Sequence, residues 1–306
     1  MNEEVFICPD GPKERVDKIL AQAFPEKSRA LIQRAIEDKK VKRQNGAKLE
    51  AKTKVCSGDV LLINLSREEV KPLCGNNIPI KVIYEDEEIL VINKASGMVV
   101  HPGDGTQDDT LVHALLYLYP DTLCPIGAPE RPGIVHRLDK ETSGVMVIAK
   151  SEKAYYSLVD QFSRRKTGKE YIALVQGVVS SRKGKIDQPV GRHPKNRIKM
   201  AVVQNGKSAI SEWEIMEKFQ DSFCLLRVRI HTGRTHQIRV HFSFLGHPLA
   251  GDLTYGAKND PNFNRVMLHA QRLEIFHPVS GEKLSFTADL PPDFQQGIKK
   301  FSECSS

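Results

Sequence analysis

The sequence predicts an α+β fold in two parts: a small N-terminal unit of two helices and short strands, then a larger domain on a mostly antiparallel mixed sheet. Three observations predict it. Apolar residues near the N-terminus repeat at helical spacing, a polar stretch with Pro72 and Gly75 follows, and short alternating strand patterns come after it without regular βαβ order. At 306 residues the chain has room for two domains, one of them large enough for a core of its own.

Residues 1–12 read as an irregular lead-in. Val16, Ile19, Leu20 and Ala23 then share a helical face, and Pro25 closes that helix. Ser28 is the expected N-cap of a second helix, from Arg29 to about Asp38, with Leu31, Ile32, Ala35 and Ile36 on its apolar face. Arg29, Arg34, Lys39 and Lys40 fall largely off that face, where their charges suit an RNA-binding surface as well as a plain helical hairpin. Val41, the Asn45-Gly46 turn, and residues 55–65 around Ser57-Gly58-Asp59 read as short strands. The expected domains are therefore 13–65 and 78–296, with a linker at 66–77. In the larger domain strands are expected over 80–84, 89–93, 145–150, 171–179, 208–216 and 223–230, with helices near 110–119 and 153–165.

Charge is regional. The formal net charge is +7, and residues 27–54 alone hold ten Lys or Arg against three Asp or Glu, so the remainder is neutral. A basic N-terminal face implies a polyanionic partner. Six scattered cysteines with no CxxC pair argue against zinc ribbons and a disulfide framework, and fit a reducing cytoplasm. The start Met1-Asn2-Glu3-Glu4 is acidic, unlike a secretory leader, and no apolar run approaches a membrane span. The expectation is a soluble, cytoplasmic protein without membrane contact.

Three strings carry chemistry. His136-Arg137-Leu138-Asp139-Lys140-Glu141-Thr142-Ser143-Gly144 sets one carboxylate among cations, just before the strand-like Val145-Met146-Val147-Ile148-Ala149. An Asp with an ordinary pKa near ~3.9 is ionised at neutral pH, so the cations would keep it so in a buried site and aim it. From the residues alone, a turn-capping Asp with solvated neighbours fits equally well. Lys169-Glu170-Tyr171 puts an aromatic near a strand start, suited to half-buried packing or to stacking. Thr232-Gly233-Arg234-Thr235-His236-Gln237-Ile238-Arg239-Val240-His241 is the third. His231, His236 and His241, five apart, do not match a zinc pattern, and no metal is expected.

Together these strings resemble the RluA family of pseudouridine synthases, over about residues 13–295. Supporting stretches include Lys94-Ala95-Ser96-Gly97, where the family more often has Lys-Pro-Ala-Gly, and Gly251-Asp252 with Tyr255-Gly256. The N-terminal pattern Arg15-Val16-Asp17 … Ser28-Arg29 … Gly58-Asp59 is similar to the S4 RNA-binding module. The resemblance implies that Asp139 is catalytic, that Tyr171 stacks on the target base, and that Arg234 pairs with the Asp. It also implies that Arg137 helps displace the target nucleotide and that Leu268 walls the uracil pocket. The implied reaction breaks the N1–C1′ bond of a uridine and rejoins the base through C5, with no cofactor. The expected substrate is 23S rRNA or a large-subunit precursor, and the expected state a monomer. A non-catalytic assembly protein and a base-releasing glycosylase are the rivals.

Overall fold

The computed structural model describes residues 4–64 and 73–302 apart from 26, 28, 104–105, 107, 121, 128–130 and 197, and the chain divides into two compact units, Met1–Pro72 and Leu73–Ser306. The N-terminal unit contains β1 (Glu4–Ile7), β2 (Glu14–Arg15), α1 (Val16–Ala23), α2 (Arg29–Glu37), β3 (Val41–Arg43), β4 (Lys54–Val55) and β5 (Val60–Ile63). Strands β1, β5 and β3 form an antiparallel sheet in that order, and β2 pairs with β4. Both helices lie over a core of Val16, Leu20, Ile32, Ile36, Leu61 and Ile63.

Residues 4–7, expected to be irregular, form the edge strand β1. Three of the four are exposed, so the strand is held by backbone pairing to β5, and its short Val5-Phe6-Ile7 run lacks the alternation of a half-buried strand. The expected cap Ser28 and much of the expected linker lie outside the described residues. Helix α2 ends in a Schellman motif: Lys40 N–H donates to Ala35 O at 2.8 Å and Lys39 N–H to Ile36 O at 3.2 Å. Lys39 takes the left-handed position, φ 59°, where glycine is usual.

The second unit contains β6 (Lys81–Glu85), β7 (Ile89–Lys94), α3 (Leu111–Leu118), β8 (Ser143–Ala149), α4 (Glu152–Ser163), β9 (Gly168–Gln176), β10 (Lys183–Asp187), β11 (Val190–Arg192) and β12 (Met200–Val202). It continues with β13 (Ile210–Phe219), β14 (Phe223–Ile230), α5 (Gln237–Phe244), β15 (Leu268–Phe276), β16 (Lys283–Thr287) and α6 (Pro292–Ser302). A nine-stranded sheet runs β10-β13-β14-β9-β15-β8-β7-β6, with β16 also on β15. Every pair is antiparallel except β15 with β8, so the mostly antiparallel α+β class holds.

Strands β7 and β8 are buried on both faces. Ile89, Val91, Val145 and Val147 meet Ala154 and Leu158 of α4, whereas Leu90, Ile92, Met146 and Ile148 meet Leu111, Val112 and Leu115 of α3. At about 1.5–3 kcal/mol per fully buried aliphatic side chain, this double burial fixes the register. Further along, Ala173, Val175, Leu226 and Val228 pack on Ile238 and Phe242 of α5, and Ile172, Leu174 and Leu225 pack with Phe294 of α6. The centre of the sheet thus aligns the end of the Asp139 loop (β8), Tyr171 (β9) and Leu268 (β15). Gly144 makes the parallel step close enough: its φ is 121°, and a Cβ there would lie 2.1 Å from Ala270 O.

Asp17 organises the first unit. Its carboxylate is fully buried, and accepts from Arg15 Nε and Nη2 (3.0 and 2.8 Å), Arg29 Nε and Nη2 (3.1 and 3.0 Å) and Gln33 Nε2 (2.6 Å). Arg29, expected on the RNA surface, is therefore first an internal tie between the two helices. Burial alone would raise the Asp17 pKa, but the bonds from Arg15, Gln33 and Arg29 outweigh it and hold the group at about 2. Because the folded value lies below the unfolded ~3.9, the stabilisation of about 2 kcal/mol is complete above pH ~4 and is lost as pH falls toward 2. Asp17→Asn should remove it at neutral pH, measured as faster amide exchange across residues 14–63, with the difference from wild type vanishing near pH 2.

Candidate active site

Asp139 sits in the loop that feeds β8, and backbone carbonyls of that loop are pinned from the β7 side. Buried Lys94 donates its ammonium to Ala95 O (2.8 Å), Met98 O (2.9 Å) and Lys140 O (3.2 Å), while Gly97 N–H also reaches Lys140 O and Ser96 Oγ reaches Glu141 O. Burial lowers the Lys94 pKa to about 7, against the pull of Asp139; three carbonyl acceptors match the three donors of an ammonium. Leu138 is buried in the core beside α3. His136 stacks on Phe162 at 4.5 Å, and its Nε2 accepts Val147 N–H at 3.0 Å; burial brings it to about 3, so it is a neutral strut.

Two groups face the Asp139 carboxylate, whose side chain is 18% exposed. Arg239 Nη1 lies 3.7 Å from Oδ2 and His236 Nε2 lies 3.9 Å from Oδ1. The sequence reading gives the counter-ion role to Arg234, and this is corrected to Arg239. Arg234 precedes α5, its N–H is taken by Gln237 Oε1 (3.1 Å), and its Nε donates to Ser208 O (3.1 Å). Arg239 lies within the helix, three residues after His236, so the two side chains rise on one face.

Behind them is a second layer. Arg239 donates Nε and Nη2 to Asp252 at 2.7 and 2.9 Å, which leaves the Nη1 edge for Asp139. Burial works against the guanidinium charge, and Asp252 more than restores it. The Tyr255 ring lies 5.0 Å beneath the same guanidinium. The Tyr255 hydroxyl accepts Met200 N–H at 2.9 Å and meets His236 Nδ1 at 2.8 Å. Burial keeps His236 neutral against the pull of Asp139. With Tyr255 donating to Nδ1, the ring turns Nε2–H toward the carboxylate; the other tautomer would face a lone pair to it. His236 has φ 55° at the start of α5, a left-handed position of the kind that collects at working sites.

One cavity of about 100 Å³ gathers Asp139, Tyr171, Arg137, Arg234, His236, Arg239 and Leu268. Tyr171 reaches it from β9, between the α3 and α5 cores. Burial and the Asp139 charge push its phenol well above the usual range, so it stays neutral. Leu268, buried, supplies an apolar wall. Arg137 is exposed at the rim, and its side chain makes no ion pair among the described residues. The histidines five apart diverge: His231 faces Glu212 at 3.2 Å, and His241 bonds Ser211 Oγ and Gln188 O. Arg34, Lys39 and Lys40 belong to the other unit, where Lys39 is exposed.

Residues 88–244 match the RNA pseudouridylate synthase family model, and residues 14–61 match the S4 domain model. An RNA pseudouridine synthase of Aquifex aeolicus is 43% identical over 295 residues, which cover 94% of this chain and 93% of the relative. The chain belongs to the RNA pseudouridylate synthase family. The ribosomal large subunit pseudouridine synthase D of Haemophilus influenzae is 41% identical across 94% of this chain and 91% of its own, and that of Escherichia coli K12 is 40% identical across 94% and 90%. Among solved structures, human RNA Pseudouridylate Synthase Domain Containing 1 superposes with a TM-score of 0.59 at 26% identity, covering 74% of this chain and 96% of its own.

As a pseudouridine synthase the protein is an isomerase, and its S4 domain occupies the N-terminal unit. Sequence reasoning missed Arg239 and Tyr255 as partners of this pseudouridine synthase site. Arg239 stands in the same string as Arg234, and only the helix phase separates them; Tyr255 lies 116 positions beyond Asp139 and no local pattern joins them. Tyr255→Phe keeps the ring under Arg239 and removes the hydroxyl that orients His236. It should slow single-turnover pseudouridine formation by about 10- to 100-fold, with RNA affinity unchanged in filter binding.

Proposed function

We propose that the protein isomerises specific uridines of 23S rRNA to pseudouridine, acting as a monomer in the cytoplasm. Asp139 works on the sugar of a uridine turned out of its helix, Arg239 is its counter-ion, Tyr171 holds the base by stacking, and Leu268 closes the pocket. The observation that supports this most is the meeting, around one cavity, of a part-buried carboxylate, a neutral aromatic and an apolar wall. An extruded base costs a few kcal/mol to unstack, and a stacking face returns roughly 1–3 kcal/mol. The N1–C1′ bond breaks, the uracil turns on Tyr171, C5 joins C1′, C5 gives up its proton and N1 takes one up; atoms balance with nothing consumed. The relatives named for the large ribosomal subunit support the choice of rRNA.

Basic surface supports RNA as partner. Besides the N-terminal run, residues 188–211 hold five Lys or Arg and no Asp or Glu. Their core is the β11–β12 hairpin, whose tip presents exposed Lys195 and an Ile198 that is 82% exposed. The hairpin base packs with Val240 of α5 and Tyr255, so it is fixed to the helix that carries Arg239.

The test incubates the protein with 23S rRNA from a strain lacking this gene, followed by carbodiimide treatment and mapping of reverse-transcriptase stops. New stops should appear with wild type and fall by about 10³-fold in rate with Asp139→Asn. Stops persisting in the variant refute the catalytic role; release of free uracil would make the protein a glycosylase. For the S4 unit, Lys39→Gly relieves the left-handed backbone, so its unfolding temperature should not fall, while rRNA affinity at physiological salt should.

A further inference from the structure

Three cations beside the pocket have no acidic partner among the described residues. Arg165, Lys169 and Arg234 make no ion pair among the described residues. Three carboxylates on the adjoining elements are engaged elsewhere. Asp160 holds Arg164 (2.6 Å) and Lys166 (3.8 Å), Glu170 faces Arg227 (3.7 Å), and Glu274 holds Arg272 (2.7 Å) and Lys283 (3.3 Å). Lys169 is half-buried, with Nζ 5.8 Å over the Phe162 ring and 3.9 Å from where a Cβ on Gly233 would stand, next to Arg234. Burial, then Arg234 and Arg165, bring its ammonium down to about 8. Like charges have been gathered without compensation.

The backbone makes the same point. Helix α4 ends in a Schellman motif, with Lys166 N–H on Gln161 O (2.9 Å) and Arg165 N–H on Phe162 O (3.3 Å), and Arg165 occupies its left-handed position at φ 59°. Glycine is the ordinary residue there; an arginine accepts strain to carry its charge. Phe162, under Lys169, is also the ring on which His136 stacks, so the cluster is braced against the Asp139 loop. Lys169 and Tyr171 are two apart on β9 and point to one face, about 6.6 Å along the strand.

We propose that Arg165, Lys169 and Arg234 form an anion site for the RNA backbone, holding a phosphodiester next to the uridine that stacks on Tyr171. Arg234 thereby serves the phosphate instead of Asp139. The ligand class follows from the geometry: an anion that sits one strand repeat from a stacked base is the phosphate of the same or adjoining nucleotide. The inference rests on the reading of Asp139 and Tyr171 as the seat of a flipped uridine.

The test uses the full chain with in vitro transcribed 23S rRNA. Binding is titrated against KCl by filter retention, and turnover is followed as tritium released from uridine labelled at C5. Arg165→Gln and Lys169→Gln should each weaken binding several-fold and flatten the log–log salt slope by about 0.7–0.9, with release at saturating RNA unchanged. Arg165→Gly, which suits the left-handed backbone, should behave likewise and removes helix-end damage as an explanation. A neutral methylphosphonate beside the mapped uridine should weaken wild type and have no further effect on Lys169→Gln. Wild-type affinity and slope in the variants overturn the site. So does a lost rate at saturating RNA with unchanged affinity. Tritium release that survives Asp139→Asn overturns the reading beneath it, whereas an inactive Asp139→Asn with silent cation variants overturns the anion site alone.

Discussion

The ion pair between Arg239 and Asp252 is the interaction on which the active site depends. Asp252 is fully buried and takes one edge of the guanidinium, Nε and Nη2, at 2.7 and 2.9 Å. It therefore decides how Arg239 can address Asp139: with a single Nη1 at 3.7 Å and not as a fork. A forked partner would bind the Asp139 carboxylate tightly and occupy both of its oxygens. An arginine already shared with another carboxylate lends charge and direction while leaving the oxygen free. Breaking such a buried pair by removing one partner costs about 3–5 kcal/mol, since the other charge stays behind. Loss of Asp252 would thus free the Arg239 guanidinium that faces Asp139.

The neutral groups complete that arrangement. His236, held by Tyr255, faces the other carboxylate oxygen with a dipole instead of a charge. Tyr171 stays protonated because burial and Asp139 both oppose its ionisation. The result is one negative charge faced by a partly spent positive one and by neutral groups, with Arg137 and Arg234 also lining the cavity. That suits a reaction in which charge develops on a sugar and an uncharged base must turn without being trapped by a hydrogen-bonding partner.

Much of this was legible in the sequence, and the boundary of what was not has physical causes. Asp139, Tyr171, Leu268 and Arg137 line one cavity, and each sits in a short string whose strand or loop setting is itself readable. The β7 and β8 strands were legible for the same reason: doubly buried runs leave no polar interruption. Arg234 and Arg239 could not be told apart, because a left-handed His236 starts a helix whose eight residues carry no clean apolar stripe, so its phase was hidden. Tyr255 escaped because its contacts are long-range. Strand β1 escaped because pairing to β5 stabilises it more than burial does.

Charge shows the deepest limit of a linear reading. Summed outside residues 27–54 the chain is neutral, and the sum suggests one basic region. In space the acids and bases are not evenly mixed. Along α4, β9 and β15 the carboxylates pair with neighbours on their own elements or on the adjoining strands, and Arg165, Lys169 and Arg234 are left over at the pocket's edge. A neutral total thus contains a local excess that only the fold reveals. Two of the helices, α2 and α4, end on a cation in the left-handed position that glycine would fill more easily. When the backbone tolerates strain twice to keep a positive charge in place, the simplest physical account is a polyanion that returns the energy on binding.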